Sequence, residues 1–347
     1  MKPIQPGELG ILKTVFGQKP DGQYEIAAML PIPLRPKAGE PDDLFRLQND
    51  ILVAQPAYLS TIAATLGQSI VPIVGMVAGE SAIRCLGTGF FLSATGLLIT
   101  AAHVLTDPIE RNYGGVRKMD DQSWFLSSMN LGVMIYASPL EPAWVFRRIE
   151  WAQFLSEPAE RPLPVRGYDL KLLADTAICK VEANSGEFYQ PLHSIQSGIR
   201  GAGLAVGKKA TAIGYGGMQD TPVELHQSGV ITGDFSFDLY VSTGTVLEHL
   251  PDNMTNRQAL TPGPCFRASL KLPGGMSGSP IFDDEGIYVH GVASSGMEEP
   301  DGLVSHGHGS MLGASMRVPI SRLDGKTLLE LLQSGGHGMV KLSIAGA

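Results

Sequence analysis

The chain has 347 residues, 44% hydrophobic and 17% charged, which is enough apolar content for a sizeable core and argues against global disorder. A formal net charge of −8 and a pI near 5.5 argue against a protein that binds nucleic acid by neutralising phosphates. Only three cysteines occur, Cys85, Cys179 and Cys265, a poor disulfide framework that fits a reducing compartment. No apolar run followed by small residues marks a signal peptide at the N-terminus, so a cytoplasmic location is expected.

In chain order, residues 1–68 read as an N-terminal extension, with "PIPLRPKAGEPDDLF" an exposed proline-rich loop. Ile51 to Gly79 carries no charge. Gln55, Pro56, Gln68 and Pro72 penalise a membrane span there, and a helix over Ala57–Leu66 followed by a strand is the simpler reading. From Ser69 the texture changes to short apolar runs punctuated by glycine, "SIVPIVGMVAG" and "RCLGTGFFLSATGLLITAAHVL", with "SATG" a hairpin turn. "SWFLSSMNLGVMIYAS", "EPAWVFRRIEWAQFL" and "LKLLADTAICKVE" continue the strand pattern. So do "ATAIGYGG", "ELHQSGVITG", "FDLYVSTGTVLE", "PCFRASLKL", "SPIFDDEGIYVHGVASSG" and "GASMRVPI". "SRLDGKTLLELLQSG" is the one strong helix signal, with Leu323, Leu328, Leu329, Leu331 and Leu332 on a broad apolar face. Many short strands closed by a terminal helix make an all-β protein, either a sandwich or barrels. The 42 glycines and 24 prolines fit the tight turns this requires.

Three stretches carry chemistry. Amide hydrolysis through a serine needs a base for the hydroxyl proton, an acid that holds the base in one tautomer, and donors for the developing oxyanion. In "TAAHV", His103 follows two small residues at a strand end. A semi-buried histidine with satisfied hydrogen bonds is the bland alternative. In "DTAICKV", Asp175 opens a buried apolar strand, with Asp169 as a rival and a turn-capping role as the bland reading. In "LPGGMSGSPIF", Ser277 follows Gly275 on a tight bend where glycine tolerates positive φ. The N–H groups of Gly275 and Ser277 can face one pocket. Ser279 is the alternative nucleophile, and an ordinary hairpin loop the bland reading.

Together, "TAAHV", "DTAICKV" and "GMSGSP", in that order and with "GTGFF" before the histidine, resemble the chymotrypsin-like serine peptidases. The resemblance is nearest to the bacterial high-temperature-requirement type and covers about Ser69 to Leu323. It implies two antiparallel six-stranded β-barrels, an N-terminal extension and a C-terminal helix. The peptidase domain would span 69–335, with barrels at about 69–195 and 205–320, a helix at about 321–334, and a tail at 336–347. His103, Asp175 and Ser277 would be the triad, and Gly275 and Ser277 the oxyanion hole. Ser294, Ser295 and Gly296 in "HGVASSG" would wall the P1 pocket opposite Gly313 in "GASMRVPI". Lys271 or Leu270 would colour its floor, favouring an acidic or an apolar side chain respectively.

The chain departs from the family pattern at Met276, where Asp or Asn is usual, which argues against activation through a new N-terminal amine. Val104 replaces a cysteine after the histidine. The segment between His103 and Asp175 is longer than in minimal members. The resemblance implies a serine endopeptidase without cofactor or metal, acting on protein or peptide and open to latency until triggered. A regulatory protein partner is expected as a further element. A silent peptidase-fold module that binds extended peptides is the alternative, and a protease embedded in a larger assembly a third reading. His306 and His308, in glycine-rich "SHGHGS", read as a flexible loop before a metal pair. "GAGLAVGKKA" lacks the ending of a phosphate loop.

Overall fold

The computed structural model describes residues 10–18, 24–33, 45–48, 51–54, 69–77, 81–110, 116–118, 123–126, 129–136, 144–158, 170–182, 192, 194–195, 197–216, 221–225, 230–233, 238–250, 261–284, 286, 288–298 and 305–334. Its principal strands are β1 Ile70–Val77, β2 Ala82–Phe91, β3 Leu97–Thr100, β4 Met129–Tyr136, β5 Trp144–Pro158 and β6 Leu170–Val181. They continue with β7 Lys209–Gly216, β8 Asp238–Leu250, β9 Cys265–Ala268, β10 Pro280–Phe282, β11 Tyr288–Glu298 and β12 Ser305–Ser310. Helix α1 is Ala102–Glu110, α2 Gly313–Met316 and α3 Leu328–Ser334.

Hydrogen-bonded pairing closes each half of the molecule on itself. The first sheet runs β4-β1-β2-β3-β6-β5, and β5 pairs back onto β4. The second runs β7-β10-β11-β12-β9-β8, and β8 pairs back onto β7. Both rings are antiparallel throughout. Closure removes the free edges that an open sheet would have to protect. The fold is therefore two closed six-stranded barrels, as the resemblance implies.

The turn over Ser93–Gly96 joins β2 to β3. Gly96 takes φ 93°, and Leu92 N–H donates to Leu97 O at 2.7 Å. Both faces of the first barrel's strands are covered: Phe90, Leu98, Ile99 and Val133 are all fully buried. The second barrel has a smaller core around Phe266, Leu270, Met276 and Ile281. After β7 the chain returns to the first sheet, where Thr221 pairs with Ile83 and Ile231 with Trp144. Glu224–Leu225 and Val230–Thr232 of "ELHQSGVITG" thus belong to the first sheet although they lie within the sequence of the second barrel.

Other local expectations change. Within the N-terminal region, Gly10–Gln18 and Tyr24–Pro33 form a hairpin, and Ile51–Ala54 adds a strand to β8 through Val53 and Tyr240. The proposed helix Ala57–Leu66 lies outside the described residues. No helix among the described residues is long and apolar enough to cross a membrane. "GASMRVPI" is not a strand: Met316 N–H bonds Leu312 O at 2.9 Å, and the segment makes the short helix α2. "SHGHGS" is not a loop but β12, paired on both sides. Its glycines sit where backbone meets side chains closely; a Cβ on Gly309 would lie 2.4 Å from Phe266 Cζ. They mark close approach rather than flexibility.

The terminal helix is split. Ser321–Leu323 forms a 3₁₀ turn, Asp324 and Gly325 take positive φ, and α3 starts afresh at Leu328. Its start is a reciprocal cap. Glu330 N–H donates to Thr327 Oγ1 at 3.2 Å, while Thr327 N–H donates to Glu330 Oε2 at 2.7 Å. Leu328, Leu331 and Leu332 then join one buried cluster that holds residues of both barrels, among them Leu98 and Phe282. Leu331→Ala should lower unfolding free energy by about 2–5 kcal/mol through the cavity it leaves. Thr327→Ala should cost only about 1 kcal/mol, the worth of a cap. Denaturant titration of both variants checks the ranking.

Candidate active site

β3 delivers the chain into α1, and His103 is the second residue of that helix, behind fully buried Ala101 and Ala102. The amides of a helix's first turn have no intrahelical acceptor. His103 N–H finds one in Asp175 Oδ1 at 2.9 Å, while its ring Nδ1 meets Asp175 Oδ2 at 2.7 Å. One carboxylate thus holds both the backbone and the imidazole of the same residue, which fixes the ring's orientation.

Asp175 does not open its strand. It stands midway along β6, where pairing with β5 is irregular. Between the Phe154–Ala177 and Ser156–Leu172 pairs, β5 supplies Leu155 alone while β6 supplies Leu173 to Thr176. Such a bulge re-aims side chains, and here the carboxylate lies in the barrel interface, 2% exposed. Burial pushes its carboxyl pKa up. The adjoining His103 charge, the His103 ring, the Ser294 hydroxyl and the His103 amide outweigh burial and hold it below the ordinary value. The rival Asp169 lies outside the described residues.

The second barrel meets this pair through Ser294. On β11 the register with β12 slips between the Ala293–Gly309 and Ser295–His308 pairs, leaving Ser294 in a bulge. Its hydroxyl donates a short hydrogen bond to Asp175 Oδ2, and its carbonyl accepts the Ser277 hydroxyl at 3.1 Å. Ser294 therefore links Asp175 of the first barrel to Ser277 of the second.

The loop that carries Ser277 is clamped by Thr88, from β2 of the first barrel and fully buried. Thr88 N–H donates to Ser277 O at 2.7 Å. Its hydroxyl donates to Gly275 O at 2.9 Å and accepts Tyr215 N–H at 2.9 Å. Gly275 has φ 95° and Gly278 φ 90°, and a Cβ on Gly278 would lie 1.9 Å from Thr88 O. Both positive φ and close approach require glycine there. Neither Gly275 N–H nor Ser277 N–H donates to an acceptor among the described residues. Met276, in place of an acidic residue, is fully buried in the core of the second barrel. Ser279 is fully buried, its hydroxyl packed against Gly214, so it is not presented to the cleft.

A chain of hydroxyls extends from the carboxylate. Thr261 Oγ1 lies 2.8 Å from both Ser294 Oγ and Ser295 Oγ, and Ser295 Oγ lies 3.2 Å from His308 Nδ1. An ionised carboxylate only accepts, and each hydroxyl has one proton to give. Ser294 must spend its proton on Asp175, Thr261 on Ser294, and Ser295 on Thr261. The last contact then needs a proton on His308 Nδ1. Burial, with Arg267 and His306 nearby, pushes the pKa of His308 below the usual imidazole value, against a smaller opposing effect of Glu248. A neutral ring with its one proton on Nδ1 completes the chain, and every bond in it points toward Asp175.

Of the residues expected from the sequence, His103, Asp175, Ser277, Gly275, Ser294 and Ser295 converge on the barrel interface through these bonds. Gly296 lies opposite Gly307 on the β11–β12 wall. Gly313 does not: its N–H bonds Gly201 O at 2.9 Å at the start of α2. Leu270 is fully buried core, and Lys271 is half-buried with its N–H on Ser242 Oγ at 3.0 Å. Thr88, Thr261, Leu272 and His308 were not singled out for this site. Thr88 lies in "GTGFF", Leu272 opens "LPGGMSGSPIF" and His308 lies in "SHGHGS", while no motif contains Thr261.

Residues 87–289 match the family described as trypsin-like peptidase domain, more than half of the chain's 347 residues. The chain belongs to that family. No curated protein sequence matches the chain. Among solved structures, it is similar to neuropsin, a serine protease expressed in the limbic system of mouse brain, at 15% identity and TM-score 0.40, over 71% of this chain and 90% of that one. It is also similar to Deg5, at 14% identity and TM-score 0.38, over 70% and 87%. The active form of the Rv3671c protease from M. tuberculosis aligns at 17% identity and TM-score 0.38, over 81% and 89%.

Two measurements check this geometry. Thr88→Val keeps the shape of the side chain but strips Gly275 O and Tyr215 N–H of their partner. Unfolding free energy should fall by about 1–3 kcal/mol, with Thr88→Ser retaining most of it. Long-range ¹H–¹⁵N correlation at pH 7 should find His308 as the Nδ1–H tautomer, and an Nε2–H ring would contradict the deduced bond directions.

Proposed function

We propose that the chain is a serine endopeptidase that cleaves protein or peptide substrates through an acyl-enzyme. The observation that carries this reading is the hydrogen-bonded line His103–Asp175–Ser294–Ser277 across the two barrels. In this reading Ser277 Oγ attacks the scissile carbonyl. His103 takes its proton and later gives it to the leaving amine, and Asp175 holds the ring with Nδ1–H directed at its carboxylate. The unengaged Gly275 and Ser277 N–H groups receive the oxyanion, a contribution of about 2.7–4 kcal/mol per donor. Thr88 holds the peptide between them from the other barrel. In this reading Ser294, Ser295 and Gly296 line the substrate's acyl side, beside β12. No step calls for a metal or cofactor.

The Ser277 proton rests on Ser294 O. Attack requires that hydroxyl to turn from the carbonyl toward the imidazole. This resting arrangement favours the latent form of that endopeptidase, held until substrate or a regulatory partner engages the cleft. The three free cysteines suit the expected cytoplasmic setting.

A fluorophosphonate should label Ser277 covalently in the wild type and not in Ser277→Ala. His103→Ala should slow labelling, and any peptide turnover, by roughly 10³-fold or more. Absence of label under every condition, with the protein folded, would favour the silent peptide-binding module instead.

A further inference from the structure

The register of β11 and β12 sets Gly296 directly opposite Gly307. Two glycines facing each other leave a hollow in a barrel wall, here two residues from the carbonyl that holds Ser277. Leu272 fills it. A Cβ on Gly296 would lie 2.5 Å from Leu272 O, and one on Gly307 would lie 2.7 Å from Leu272 Cδ1 and 2.9 Å from its Cγ. The leucine's backbone covers one glycine and its side chain covers the other.

This residue is not on a loose flap. Its predecessor is tied by Lys271 N–H to Ser242 Oγ at 3.0 Å. Its successor, Pro273, accepts Met276 N–H at 3.1 Å in a turn that ends in a fully buried methionine. Leu272 itself packs against the core of the second barrel. The polar groups beside the hollow are already committed: the Ser294 and Ser295 hydroxyls are spent in the chain between Asp175 and His308. What Leu272 leaves uncovered there is shallow, bounded by its own side chain and carbonyl oxygen.

We propose that Leu272 sets the substrate class by occupying the space that a P1 side chain would take. The residue whose carbonyl is attacked must then be small and apolar, alanine or glycine, and not the acidic residue that Lys271 suggested. This inference rests on the endopeptidase reading above. Discrimination by a hydrophobic pocket amounts to roughly 10–200-fold per methylene gained or lost, so the side chain of a leucine is enough to exclude larger residues.

The test uses the full chain and peptidyl phosphonates identical except for alanine, leucine or phenylalanine at P1, alongside a fluorophosphonate that has no P1 side chain. The wild type should be labelled at least about tenfold faster by the alanyl than by the leucyl reagent. Leu272→Ala should shift that ratio toward leucine by about tenfold, and Leu272→Val by an intermediate amount. The valine variant serves if the alanine variant unfolds. Equal labelling of the wild type by all three reagents, or a ratio unmoved in both variants, overturns the inference. Labelling by the fluorophosphonate but by no peptidyl reagent overturns it alone. Labelling by nothing overturns the endopeptidase reading and this inference with it.

Discussion

A buried carboxylate governs how the two barrels meet. Asp175 is nearly sealed from water, and an unpaired anion there would cost several kcal/mol, so each lone pair facing protein must find a donor. The donors come from both sides: the amide and ring of His103 from α1, and the hydroxyl of Ser294 from β11. Satisfying one charge therefore fixes the imidazole, the bulge in β11 and the relative placement of the barrels together. Losing any one donor would leave the charge under-compensated, which is why the arrangement is cooperative rather than a sum of separate contacts.

The second constraint is steric. The loop bearing Ser277 presses against β2 so closely that Gly278 has no room for a Cβ. Thr88 uses its amide and its hydroxyl to hold that loop by two carbonyls. The proposed nucleophile is thus positioned by the barrel that does not carry it. Met276 fits the same logic. Where an acidic side chain would need a cationic partner, a methionine buries itself in the second core and anchors the loop by packing.

The same barrel wall explains the proposed selectivity. β12 alternates glycine with polar residues, and on one face Gly307 admits Leu272 while Gly309 admits Phe266. Read along the chain, "SHGHGS" has the composition of a loop. Only the neighbours that press on it turn the glycines into strand positions, because a glycine's role depends on what approaches its missing side chain.

Much of the fold was legible in the sequence because it rests on local rules. Short apolar runs punctuated by glycine marked the strands, "SATG" marked a hairpin turn, and leucine spacing marked the terminal helix. The helix start was displaced because Asp324 and Gly325 break the run before Thr327 can cap it. The residues of the three motifs were also visible, since each carries its own chemistry within a few positions. Everything that joins them was not. Ser294 meets Asp175 across 119 positions and Thr88 meets Gly275 across 187. The hydroxyl chain to His308 and the covering of Gly296 by Leu272 likewise arise from register and bulges. Side-chain period tells which face a residue takes but not which distant strand will lie against it, so these partnerships were decided by barrel closure alone.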